Sequence, residues 1–144
     1  REGEFISADL NKRLEYINTC LGQIQKASAD LFEQYKQRLQ ERIAALTQNI
    51  VDLDPARIAQ EAAFLADRSD ISEELTRAAS HLSQFDLMMK AEEPAGRKLN
   101  FLLQELNREF NTMGSKIGNA AMAHIIIDVK SELEKIREQI QNIE

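Results

Sequence analysis

The chain has 144 residues, 43% of them hydrophobic and 29% charged, which excludes a disordered polymer and allows one ordinary domain. Five glycines, two prolines and 6% aromatics are too few turn and strand formers for a compact β domain. A net charge of −6 argues at first sight against nucleic acid, and no run approaches the roughly 20 apolar residues of a membrane span.

The expected fold is therefore all-α, built of four to five long antiparallel helices with coiled-coil-like seams. From the N-terminus, Leu10, Leu14, Ile17, Leu21, Ile24, Leu31, Tyr35, Leu39, Ile43 and Leu46 recur in steps near three and four, with a gap at Ala27 and Ser28. The stripe predicts one long helix ending at Gln48–Asn49. Cys20 is the single cysteine, so no internal disulfide can form, and its apolar neighbours read as a packed helix position in a reducing compartment. NIVDLDP is a connection, with Asp54 as cap and Pro55 in the first turn of a short helix over 55–68. Asp70 and Glu73 have the spacing of a capping box for the next helix, whose seam is Ile71, Leu75, Ala78, Leu82, Phe85 and Met89. KAEEPAG breaks the chain again before a helix over 97–113, which Gly114 and Gly118 end or loosen. The last helix, from about 119, has the seam Met122, Ile126, Val129, Leu133, Ile136, Ile140 and Ile143. The organisation read from this is a coiled-coil-like segment over 1–50 and a C-terminal helical domain over 51–144. Seams this long and narrow also call for partner helices, hence an oligomer.

Residues 97–116 differ from the rest. They carry +2, leaving −8 for the remainder, so a basic island sits on an acidic scaffold. On a helix, Leu99, Leu102, Leu103, Leu106, Phe110 and Met113 form a core face. Arg97, Asn100, Gln104, Asn107 and Asn111 form a polar stripe, with Glu105, Arg108, Glu109 and Thr112 beside it. Amides both donate and accept, and arginine is a planar fork, so the stripe can knit helices together or read bases, riboses and phosphates. Glu73, Glu74, Arg77 and His81 form a second grouping that could hold a divalent ion or move a proton, although an acidic first turn also simply suits the helix dipole. His124, just before IIIDV, reads as a satisfied core histidine. No CxxC, HExxH, glycine-rich phosphate loop or nucleophile elbow occurs.

GRKLNFLLQELNREFNTMGSK, followed by a helix ending in EKIREQIQNIE, resembles the C-terminal part of the YicC/YloC family of bacterial proteins. QEAAFLADRSDISEELTRAASHL and the opening REGEFISADLNKRLEYI are similar to the same family, so the resemblance covers essentially the whole chain. The family's pattern matches at Asp70, Glu73, Glu74, Arg77 and His81, and at Gly96, Arg97, Gln104, Glu105, Asn107, Arg108, Glu109, Asn111, Thr112, Ser115 and Lys116. Asn100 stands where the family usually has Asp, and Phe110 where a small residue is expected.

The resemblance implies cytoplasmic, metal-dependent endoribonucleases of single-stranded RNA, once labelled stress-induced proteins, that form homo-oligomeric rings without a small-molecule cofactor. Family members are about twice this length, and with Arg1 in place of Met the chain is expected to be the helical C-terminal part. On this reading Glu105, Glu109 and Glu74 would hold manganese or magnesium, with His81 completing the catalytic set. Arg97, Arg108 and Lys116 would hold phosphates, while Gln104, Asn107 and Asn111 would contact bases or 2′-hydroxyls. The rival is a non-catalytic scaffold that oligomerises and clamps RNA while the N-terminal half cleaves. A helical adaptor free of nucleic acid is a third reading.

Overall fold

The computed structural model describes residues 2–50, 52–93 and 95–143, with side chains from Ala8 to Asn142 inside those ranges. Every element within them is a helix: α1 (Glu2–Ser28), α2 (Leu31–Thr47), α3 (Pro55–Arg68), α4 (Ser72–Met89), α5 (Gly96–Lys116) and α6 (Ala120–Ile143). The all-α expectation holds. Pro94 and the Ile143 side chain lie outside the described residues.

The single helix expected over the first seam is two. α1 stops at Ser28, and α2 restarts after Asp30, which takes the cap position with no side-chain bond. The gap in the stripe at Ala27 and Ser28 marks the break. The two seams then behave differently: Leu10, Leu14, Ile17, Cys20, Leu21 and Ile24 of α1 are buried, whereas α2 buries none of its residues and Leu46 is 76% exposed. α2 ends at Gln48 and Asn49, both left-handed (φ 53° and 60°), whose N–H groups turn back to the Ala44 carbonyl.

The chain divides into two compact units, and neither boundary falls at residue 50. One is Ala27–Asp70, the α2–α3 hairpin. Asp54 caps α3 by accepting from the Ala56 N–H at 3.1 Å with Pro55 in the first turn, as expected, and Ile58 and Ala62 are its buried residues. The Tyr35 and Ser69 hydroxyls, 2.9 Å apart, link the start of α2 to the end of α3.

The other unit joins Arg1–Lys26 to Ile71–Glu144, so α1 belongs to one unit with α4, α5 and α6 although the hairpin separates them in sequence. Arg13 reaches Glu132 at 2.8 Å and Gln139 donates to Asp9, which makes α1 and α6 antiparallel. α4 and α5 are antiparallel through the pairs described below, and α5 and α6 through the short link Ile117–Asn119. α1 also lies along α4, with Leu14 and Leu82 lining the same surface groove. The core is the seam of each helix. Phe85, Leu106, Phe110, Met113, Val129 and Ile136 are fully buried, while Leu75 and Met89 are half-buried. α5 runs on through Gly114 to Lys116, and Asn119 caps α6 by accepting from the Ala121 N–H at 2.8 Å. At α4 the cap position falls to Ile71, one residue later than the expected Asp70. His124 is exposed, so it is not a core histidine.

A non-glycine residue in the left-handed region costs about 1 kcal/mol or more relative to glycine. Gln48→Gly is therefore expected to stabilise the hairpin by about 0.5–1 kcal/mol, read as a raised urea midpoint at unchanged slope.

Candidate functional site

Antiparallel packing of α4 on α5 sets residues spaced by three and four on one helix against the same spacing on the other. Lys116 Nζ meets Glu74 Oε1 at 2.6 Å, and one turn along Arg77 Nε meets Glu109 Oε1 at 2.9 Å. Arg77 also reaches Glu73 at 3.4 Å and Glu74 at 3.9 Å. Glu74 is 3% and Glu109 5% exposed, so both carboxylates are held out of water and each calls for a cationic partner. For Glu74, burial pushes the carboxyl pKa up. The Lys116 bond, together with Lys116 and Arg77 as nearby charges, outweighs that and leaves it below the ordinary value.

One further turn along, His81 of α4 faces Glu105 and Glu109 of α5. Each offers a ligand atom within 4.8 Å of the others. The His81 Nδ1 is buried and has no hydrogen-bond partner among the described residues. An imidazole nitrogen and two carboxylates suit a divalent transition metal or magnesium. The two adjacent carboxylates favour a cation there, which any ion would share with Arg77 at Glu109. Glu74, expected among the metal ligands, is not drawn into this group; its partner is Lys116. That pairing gives the Lys116 ammonium a buried carboxylate as one partner.

The amide stripe lies on the flank of α5 turned toward α6. Arg97, Gln104, Asn107, Arg108 and Asn111 are exposed and Asn100 half-buried. Asn100, Gln104 and Asn107 line a groove of about 240 Å³ whose opposite wall is Lys130, Glu134, Arg137 and Gln141 of α6. None of these three amides has a side-chain hydrogen bond to another described residue. The stripe thus does not knit this bundle together; the ion pairs on the α4 side do. Asn100 faces the groove and the cluster lies on the other flank, so an amide in place of a carboxylate at this position removes no ligand from His81, Glu105 and Glu109.

Sequence reasoning missed the basic side chains of α6 and also Phe101, which is 58% exposed. A helix rotation of 100° per residue puts Phe101 between Arg108 and Glu105 and well off the core face, a signal present in the spacing.

Removing Lys116 leaves the buried Glu74 charge with only the more distant Arg77, at 3.9 Å. Lys116→Ala is expected to cost about 3 kcal/mol, with much of the loss recovered in the Lys116→Ala, Glu74→Gln double variant, both read by chemical denaturation. Because the Glu74 pKa is lowered by folding, its contribution is present at neutral pH and is lost as pH falls below the ordinary value of 4.5. The acid limb of the stability profile should be shallower in Glu74→Gln than in the wild type.

Residues 24–144 match the family described as "Endoribonuclease YicC-like, C-terminal". The chain is 42% identical over 143 residues to the "Probable endoribonuclease YicC" of Clostridioides difficile, covering 99% of this chain and 49% of that protein. It is 37% identical over 144 residues to the protein of the same name from Haemophilus influenzae, covering 100% of this chain and 49% of the relative. The chain thus spans about half the length of the curated relatives it matches. On the family match and these identities together, the chain belongs to the YicC-like endoribonuclease family, in the part that corresponds to its C-terminal region.

Proposed function

We propose that the full-length protein is a divalent-metal-dependent endoribonuclease of single-stranded RNA and that this chain supplies its metal cluster and much of its RNA surface. The observation that carries the reading is the meeting of His81, Glu105 and Glu109 across α4 and α5, beside an exposed ridge of arginines and amides. A bound manganese or magnesium ion would supply an activated water and charge stabilisation at the scissile phosphate. Arg97 and Arg108, exposed on α5, grip flanking phosphates. Phe101, next to Arg108 on that ridge, offers a face on which an unpaired base stacks. Arg77 holds one Glu109 oxygen in place while leaving the other for the ion. The cytoplasm and a homo-oligomer belong to the same proposal. Among the described residues no helix is long and apolar enough to cross a membrane, and Leu46 and Ile50 leave apolar surface uncovered.

A second reading is favoured by one specific observation. The Glu74–Lys116 and Arg77–Glu109 pairs, whose carboxylates are buried, lock α4 to α5, as a scaffold requires, and the cleaving groups would then lie in the other half of the protein.

Labelled single-stranded RNA incubated with the full-length protein in manganese, magnesium or chelator separates the two. On the proposed reading chelator abolishes cleavage, and Glu105→Gln and His81→Ala lower kcat by at least about a hundredfold while the protein stays folded. Cleavage that survives both substitutions places the chemistry elsewhere and leaves this region as the scaffold. In a parallel binding series, Arg97→Ala with Arg108→Ala should reduce the slope of log affinity against log salt by about two, one for each lost phosphate contact. Phe101→Leu should weaken binding with little change in that slope.

A further inference from the structure

We propose that the groove between α5 and α6 is a subsite for one unpaired ribonucleotide, whose base meets the amides of Asn100, Gln104, Asn107 and Gln141 and whose phosphate is held by Lys130. This rests on the RNA reading above and adds to it a place, a register and residues on α6.

Four features of the groove converge on such an occupant. Its floor is Leu103 and Leu133, an apolar strip against which the face of a base can lie, and its volume of about 240 Å³ is just under the roughly 300 Å³ at which small-molecule pockets begin, so it takes one base rather than several. The polar residues of its α5 wall, Asn100, Gln104 and Asn107, are all amides, as is Gln141 on the α6 wall, and amides offer both a donor and an acceptor and so match the mixed pattern on a Watson–Crick edge. Such edges are free only in unpaired RNA. Those on α5 are not engaged elsewhere, since Asn100, Gln104 and Asn107 have no side-chain partner among the described residues.

The charges are arranged to suit. Glu134, the groove's acidic residue, is taken up by Arg137 in a two-pronged pair, with Nε to Oε2 at 3.0 Å. The Glu134 charge is thereby answered within α6, and the flat guanidinium is held in one orientation on the rim. Lys130 is exposed and has no ion pair among the described residues, so its ammonium is available to a phosphate.

The position of the groove gives the site its role. It lies on the α6 flank of α5, whereas His81, Glu105 and Glu109 lie on the α4 flank. The two are separated by the width of one helix, about 10 Å. A strand seated in the groove crosses the Phe101 and Arg108 ridge before its backbone reaches the cluster. The nucleotide held here is a neighbour of the one cut, and the subsite fixes where along the strand the cut falls.

The test uses the full-length protein and a fluorescein-labelled single-stranded RNA, first in chelator for binding and then in manganese for the pattern of cuts. Lys130 and Gln141 are both exposed, so Lys130→Ala with Gln141→Ala leaves the fold intact, as circular dichroism will verify. The expected result is roughly tenfold weaker binding, altered cut positions and a larger effect on KM than on kcat. Lys130→Arg should restore most of the affinity, and Asn107→Asp, which can only accept, should change the base preferred next to the cut. Wild-type affinity and an unchanged cut pattern in the double variant, with weakened binding in Arg97→Ala, Arg108→Ala, would overturn the subsite and leave the nuclease reading standing. No RNA binding or cleavage by the wild type would overturn both. A double variant whose RNA behaviour is unchanged but whose oligomeric mass falls would assign the groove to a protein interface instead.

Discussion

Glu74 and Glu109 are carboxylates kept from water at the seam of α4 and α5, and each is tolerated because a cation from the opposite helix reaches it. That requirement fixes the register of the two helices more sharply than apolar packing does. A slip of one residue on α5 rotates its surface by 100° and would bring Arg108 or Phe110 to the place of Glu109. It would leave Glu74 without Lys116 at the same time. The geometry of His81 opposite Glu105 and Glu109 follows from this register, so the site can exist only where the ion pairs hold.

α5 is consequently a helix with three distinct flanks. Its core side anchors it through leucines, Phe110 and Met113. Its α4 side carries the ion pairs and the carboxylate–imidazole cluster. Its α6 side and outer ridge carry unpaired amides, arginines and an aromatic ring. A residue type that looks out of place in a helix, asparagine above all, is here on the flank that packing does not need. The low helix propensity of asparagine is tolerated because the helix is held by its other two flanks.

Much of this was legible from spacing alone. The core faces of α5 and α6 follow a period of 3.6 so closely that every described residue assigned to them is buried. Asp54–Pro55 announced the start of α3 because capping is local chemistry. What periodicity cannot report is whether a stripe finds a partner. The stripe of α2 continues that of α1, yet α1 is buried and α2 is not, since burial depends on contacts distant in sequence. The same limit explains His124, whose apolar neighbours are on one helix while its own side chain points outward. It also explains the boundary placed at residue 50, where a change of local pattern does not coincide with a change of compact unit. Among the candidate residues, the identities were readable but the pairings were not. Glu74 as a metal ligand and Lys116 as a phosphate ligand are equally plausible from sequence, and their bond to each other becomes visible only when the two helices are placed side by side.

The hairpin Ala27–Asp70 is an insertion between the first helix of the bundle and the other three. α4, α5 and α6 follow one another through short links and can assemble by local contacts, whereas α1 has to return across the insertion. That step has the character of a loop closure, whose entropic cost grows only with the logarithm of length, about 0.6 kcal/mol for each doubling. Ordering of α4–α6 before α1 docks is thus the kinetically simple sequence of events. The weak dependence on length also frees the hairpin to grow, shrink or change its surface over evolutionary time, while the register of α4 and α5, and the chemistry that depends on it, stays untouched.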